Sequence, residues 1–163
     1  MAAGPARRPR ATWTMKSPSE PSLTVRLLTQ QDADALTALY NELTFGPKTA
    51  CTHDVLAVLA HPGTTIHGAL AADRVIGMVT LHILPNVTWD GRPYALIENV
   101  ATAGDWRWRG IGRRVMQSAI DHARTQKVYK IMLLTGQKRG ARGFYEALGF
   151  DCEDKHGMVM RWD

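Results

Sequence analysis

Apolar residues show no period before residue 22, and from there the chain becomes strongly patterned. The segment SLTVRLL (22–28) alternates in part and predicts a first strand. Thr29 can cap a helix over 30–43, in which Leu36, Leu39, Tyr40 and Leu43 recur at helical spacing. Gly46-Pro47 should end it. A shorter helix begins at Thr52 or His53, turns Val55, Leu56 and Leu59 inward, and stops at HPG (61–63). Strands follow over 65–71 and 75–84 around a hairpin at Ala72-Asp73-Arg74. A polar loop over 86–93 carries an Asp90-Gly91 turn, and YALIENVAT (94–102) reads as a further strand.

Beyond residue 110 the period returns to that of a helix. Val115, Met116, Ala119, Ile120 and Ala123 define one face of a helix from about 111 to 126. KIMLLT (130–135) is a continuous apolar run, as expected inside a sheet. A helix is predicted over 139–148, closed by Gly149, and a last strand over 156–162. The order combines an antiparallel meander with a βαβ crossover, an α/β (α+β) chain.

With 163 residues the chain suits one domain, over 23–163, with a core large enough to need no staples. No apolar run reaches the ~18 residues of a membrane span. The net charge of +5 is uneven: residues 1–22 carry Arg7, Arg8, Arg10 and Lys16 against Glu20, or +3, leaving +2 for the other 141. So the bulk charge gives little ground for a nucleic-acid partner. The Pro-, Ala-, Arg- and Ser-rich residues 1–22 are expected to be a disordered tail without function, and Met15 is a possible start. They have neither the apolar region of a secretory signal nor the amphipathic pattern of a transit peptide, which points to a cytoplasmic protein. Cys51 and Cys152 fit no metal spacing; they read as reduced, packed thiols, with one long-range disulfide as the alternative. The six histidines make no HExxH or HxH pair, so no metal is expected.

The most concentrated chemistry lies in DWRWRGIGRR (105–114), between the strand ending near 102 and the helix beginning near 111. A helix start offers unpaired N–H groups and partial positive charge, and glycine lets an anion approach the main chain. Gly110 and Gly112 suit that role, with Arg107, Arg109, Arg113 and Arg114 around them. The pattern GxxxxGK[ST] is absent, and GxGxxG fails because position 115 is Val.

The spacing Arg107-x-x-Gly110-x-Gly112 resembles the R/Q-x-x-G-x-G/A segment of the GNAT superfamily of N-acetyltransferases. Three further features stand in that family's order: ALIENVAT before the motif, VMQSAIDHA after it, and KIMLLT leading to GFYEALGF. The resemblance covers about residues 22–163 and implies a mixed, largely antiparallel central sheet flanked by about four helices. It implies acetyl-CoA as cofactor, its pyrophosphate held by Arg107, Trp108, Arg109, Gly110, Ile111, Gly112 and Arg113. It also implies that the main chain of Val100, Ala101 and Thr102 meets the acetyl and pantetheine part. Two departures stand out: Trp108 where the family often has glycine, and Lys138 where it often has a cofactor-touching asparagine.

Acetyl transfer to an amine needs a proton acceptor, a donor to the developing oxyanion and a proton for the departing thiolate. Tyr145 is the candidate acid, since the resemblance points the tyrosine of FYE at the cofactor sulfur and a phenol stays protonated at neutral pH. Glu98, between apolar neighbours in a strand, is the candidate general base or amine-binding group. Strict alternation would put Leu96, Glu98 and Val100 on one face and Ile97, Asn99 and Ala101 on the other. Asn99 is a further substrate-binding candidate, and His82 lies on a strand from which it could reach substrate.

These features support an acetyl-CoA-dependent transfer to a primary amine of a small molecule, directly within a ternary complex. IENVAT and VYKIMLLTG look closest, within the superfamily, to glucosamine-phosphate N-acetyltransferases, implying an amino-sugar phosphate acceptor and a homodimer. The rival readings are a protein lysine or N-terminal acetyltransferase and a non-catalytic coenzyme A-binding sensor. A nucleic-acid binder rests only on basic residues that the cofactor already accounts for.

Overall fold

The computed structural model describes residues 22–43 and 50–162 and contains one five-stranded sheet in the order β1-β2-β3-β4-β5. Strand β1 (Leu23–Leu27) leads through a 3-10 turn to α1 (Ala33–Leu43) and then α2 (Thr52–Ala60). Next come β2 (Thr64–Ala71), β3 (Arg74–Leu84) and β4 (Tyr94–Thr102). Helix α3 (Ile111–Thr125), β5 (Ile131–Leu133) and α4 (Arg142–Glu146) follow. Strands β1 to β4 pair antiparallel and β5 joins β4 in parallel, so the expected mixed sheet with four helices is present. The Gly46-Pro47 stop and nearly all of the expected tail lie outside the described residues.

The entry to α1 is fixed by charge. The Asp32 carboxylate accepts from the Thr29 N–H at 2.8 Å and from both ends of the Arg26 guanidinium at 2.7 Å. The arginine holds that carboxyl down at about 2.

Almost every residue of β2 and the first two-thirds of β3 are buried, because helices cover both faces of the sheet there. Gly77, Val79 and Leu81 of β3 face α3, whereas Met78, Thr80 and His82 face the side of α1. Gly77 permits the close approach of α3: a Cβ there would collide with Ile111 Cγ2 in the first turn. The α3 face buries Val115, Met116, Ala119, Ile120 and Ala123, the residues that the helical period selects, and Ile111 one turn before them.

Four expectations need correction. KIMLLT, expected inside the sheet, supplies the edge strand β5, which among the described residues pairs with β4 alone and leaves Ile131–Leu133 half-buried. Residues 156–162 carry no strand; Met158, Met160 and Trp162 are exposed, because β5 is only three residues long and offers no longer ladder to join. The helix expected over 139–148 is split into a 3-10 turn, Gln137–Arg139, and α4, since Gly140 lies between them at φ +63°. Cys51 and Cys152 are free as expected but exposed, not packed.

Candidate active site

Strand β4 outruns its parallel neighbour. It pairs with β5 only over Ala95, Leu96 and Ile97, while on the other side its pairing with β3 continues to Thr102. The β5-facing edge of 98–102 therefore has no partner strand among the described residues. Main-chain N–H and C=O groups on such an edge are available to a ligand.

Within the same stretch β4 carries a bulge. Glu98 pairs with Thr80 and Ala101 with Met78, so three steps on β4 match two on β3. Asn99 takes up the extra residue at φ +52°, a conformation asparagine tolerates better than most residues. The alternation read from the sequence therefore fails here. Glu98 and Ala101 share the α1 face, while Ile97 and Thr102 share the α3 face. The Asn99 side chain hydrogen bonds the Tyr40 hydroxyl, which also lies 3.4 Å from Thr80 Oγ1. Burial pushes the Tyr40 phenol up from its ordinary value.

At the far end of β4, a cleft of about 440 Å³ is bounded by Val100, Ala101 and Thr102, by 106–108, by the start of α3 and by α4. Ten of the residues expected at the site line it: Val100, Ala101, Thr102, Arg107, Trp108, Gly110, Ile111, Gly112, Arg113 and Tyr145. Gly110 caps α3 at φ +76°, and helical geometry leaves the N–H groups of Ile111, Gly112 and Arg113 without intrahelical acceptors. A Cβ on Gly112 would lie 3.4 Å from the Phe144 ring and 3.6 Å from Thr102 Oγ1, so α3, β4 and α4 converge there.

Trp108 adopts φ +64°, and its side chain is fully exposed. Glycine occupies that conformation without a steric penalty, which gives the departure from the family pattern a backbone cost of ~1–2 kcal/mol. Arg109 stands outside the cleft lining, with its guanidinium 5.0 Å from the centre of the Trp106 ring. Lys138 is exposed in the 3-10 turn and Glu98 and Asn99 lie earlier on β4; none of the three lines this cleft.

The turn entering the cleft is strapped to the scaffold. The Gly104 N–H donates to Glu42 of α1 at 2.7 Å, and Arg74 grips Asp105 at 2.6 and 3.0 Å. Hydrogen bonding from Arg74 holds the Asp105 carboxyl below its usual range. Sequence reasoning missed Glu42, Arg74, Gly77, Trp106, Ala141 and Phe144. The last three adjoin the recognised motifs, whereas Glu42, Arg74 and Gly77 act through contacts distant in sequence.

Tyr145 stands between two cavities. Beyond it, a second space of about 340 Å³ is lined by 130–135, Arg142, Phe150 and 154–157. Its ring meets Phe144 and Phe150 edge-on, at 5.1 and 6.2 Å between centroids. Elsewhere, Cys51, His53 and Asp54 bring their ligand atoms within 4.8 Å of one another, all three exposed. No helix among the described residues is long and apolar enough to cross a membrane.

Comparison with known proteins places the fold. A putative acetyltransferase from Agrobacterium tumefaciens superposes with a TM-score of 0.79 at 38% identity, over 85% of this chain and 99% of that one. An acetyltransferase structure from Trypanosoma brucei gives 0.73 at 26% identity, over 87% and 99%. A glucosamine 6-phosphate N-acetyltransferase of Trypanosoma brucei brucei is 32% identical over 90 residues, 55% of this chain. The alignment spans 58% of that curated relative, little more than half its length. The model of the acetyltransferase (GNAT) family matches residues 33–150, from α1 through α4 to Phe150, and the chain belongs to that family.

Proposed function

We propose that the protein is an acetyl-CoA-dependent N-acetyltransferase that acts on a primary amine of a small molecule, an amino-sugar phosphate before others. One observation carries the reading: the partnerless end of β4 opens into the same cleft as the start of α3 and Tyr145. A cofactor combining a diphosphate with a long amide-bearing arm matches that donor set, basic helix start at one end and free strand edge at the other. The relative that acts on glucosamine 6-phosphate supports the choice of acceptor.

The N–H groups of Ile111, Gly112 and Arg113, with Arg107 and Arg109 nearby, hold the diphosphate. The main chain of Val100, Ala101 and Thr102 orients the arm and offers a donor to the carbonyl oxygen as negative charge develops on it. When bound, acetyl-CoA supplies an activated acetyl group and a thiol as leaving group. Glu98 accepts the proton of the incoming amine, and Tyr145 gives its phenolic proton to the sulfur. Asn99 braces the acceptor side, and Trp108 and Lys138 contribute to the cofactor's outer contacts. The direct transfer leaves no covalent acyl-enzyme.

Thermal denaturation with and without acetyl-CoA tests the cofactor. At ~100 times its Kd it adds ~2.7 kcal/mol of stability; an unchanged melting curve at saturation removes the proposal. Thiol release against amino sugars, amino-sugar phosphates, aminoglycosides, polyamines, amino acids and peptides tests the acceptor. Fastest turnover with a peptide replaces it by a protein acetyltransferase, and none with any amine by a coenzyme A-binding sensor. Sedimentation of the full chain tests the expected homodimer.

A further inference from the structure

The α1 face of the sheet carries a polar stripe that runs across β2, β3 and β4. Thr64, Thr80 and His82 all lie on it. Thr64 is 8% exposed and Thr80 1%. Glu98 is registered with Thr80, and His82 sits two residues further along β3, diagonal to Glu98 across the ladder. Diagonal cross-strand neighbours lie ~7–8 Å apart at the backbone, within reach of long side chains directly or through one water.

The Thr64 hydroxyl sits between two imidazoles, 2.8 Å from His82 Nδ1 and 3.0 Å from His61 Nδ1. A hydroxyl has one hydrogen, so it donates to one ring and accepts from the other. Two arrangements satisfy both rings. In the one that leaves the exposed His61 its Nε2–H in water, Thr64 donates to His61 Nδ1 and accepts the Nδ1–H of His82. That arrangement fixes the His82 tautomer and leaves its Nε2 with a lone pair.

We propose that His82, held in its Nδ1–H tautomer by Thr64 and His61, is a positioning residue that relays the acceptor amine's proton from Glu98 to solvent. The amine's proton passes to the Glu98 carboxylate and from there to Nε2 of His82. The ring is briefly a cation that donates Nδ1–H to Thr64, and because His82 is only half-buried it returns the proton from Nε2 to water. The acceptor enters as an ammonium, and the proton lost before attack takes this route. The proton lost from nitrogen as the amide forms restores Tyr145 after it has protonated the sulfur. Each turnover thus ends with Glu98 ionised, His82 neutral, Tyr145 protonated and one proton in solvent. Among the described residues, His61 from the end of α2 joins His82 through Thr64, Glu98 lies diagonal to it on β4, and Tyr40 of α1 meets Thr80 two residues before it. The inference rests on Glu98 being the base of the proposed acetyl transfer.

Two measurements test it. In the free full-length chain, 15N-histidine spectra should assign His82 as the Nδ1–H tautomer and His61 as Nε2–H; an Nε2–H ring at His82 overturns the relay. In the second, thiol release is followed with the fastest amine of the acceptor panel. His82→Gln should lower kcat at least tenfold, leave KM for acetyl-CoA unchanged and regain rate with imidazole in the buffer. Thr64→Val, which keeps the shape and loses the hydroxyl, should also lower kcat with KM for acetyl-CoA unchanged, and it serves where His82→Gln does not fold. Unchanged rates in both variants, or a loss that imidazole does not restore, overturn the relay. Glu98→Gln separates the two levels. If it is slow while His82→Gln is normal, only the relay fails; if Glu98→Gln turns over normally, the assignment of Glu98 as base fails with it.

Discussion

The two halves of this sheet are held together differently. In β2 and β3 nearly every side chain is buried, and α1 and α3 close both faces. In β5 all three residues are only half-buried, and beyond it Leu134, Met158, Val159, Met160 and Trp162 are exposed. The family model ends at Phe150, so the match reaches α4 and stops before that exposed segment. The first half is a scaffold set by apolar packing. The second meets it along β4 and presents the cleft.

Core truncation should break the contrast most strongly. Leu81→Ala, at a fully buried position, should cost ~2–5 kcal/mol in urea denaturation, against ~0.5 kcal/mol or less for Leu134→Ala. Similar losses at the two positions would mean that the halves are equally packed.

The next effect depends on pH. His67 of β2 is 2% exposed, 2.8 Å from Ser118 Oγ and 3.2 Å from His122 Nδ1, both on α3. Burial, reinforced by His122, pushes its imidazole down to about 4. The unfolded chain then binds the proton first. Stability is fully present above the ordinary histidine value of ~6.5 and is lost as pH falls toward 4, by ~3 kcal/mol. Urea midpoints measured from pH 7 to 4 should fall through this window in the wild type and less in His67→Gln. Parallel curves would remove His67 as the cause.

Smaller effects probe the join between the halves. Gly77→Ala pushes against Ile111 and should cost ~1–3 kcal/mol while weakening acetyl-CoA binding, which calorimetry on the folded variant measures. Unaltered affinity would show that the start of α3 can shift without harm to the cleft. Trp108→Gly relieves the left-handed backbone and should gain ~1 kcal/mol by thermal denaturation. A loss of stability without cofactor would mean that the indole packs on the protein.

What the sequence made legible was contiguous. The face of α3, the glycine turn that lines the cleft at 110–112 and Tyr145 in FYE each lie within one stretch, where a period or spacing suffices. Pairing between distant strands was hidden. The bulge at Asn99 is defined only against β3, so counting alternate residues from Leu96 assigned Ala101 to the wrong face relative to Glu98. The 156–162 segment shows the reverse error, since its apolar content suggests a strand but a strand also needs a partner. Thr64 and His61 were equally hidden, because the hydroxyl shared by two rings depends on where α2 ends over β2 and β3.

The bulge lets β4 change its length at one place without losing its register. Losing Asn99 would leave two steps on β4 against two on β3, so the ladder would become regular with Ala101 still opposite Met78. A residue lost from 94–97 would instead turn the neighbouring side chains to the other face. Among close variants of this chain, the stretch 98–100 should therefore lose one residue more readily than 94–97.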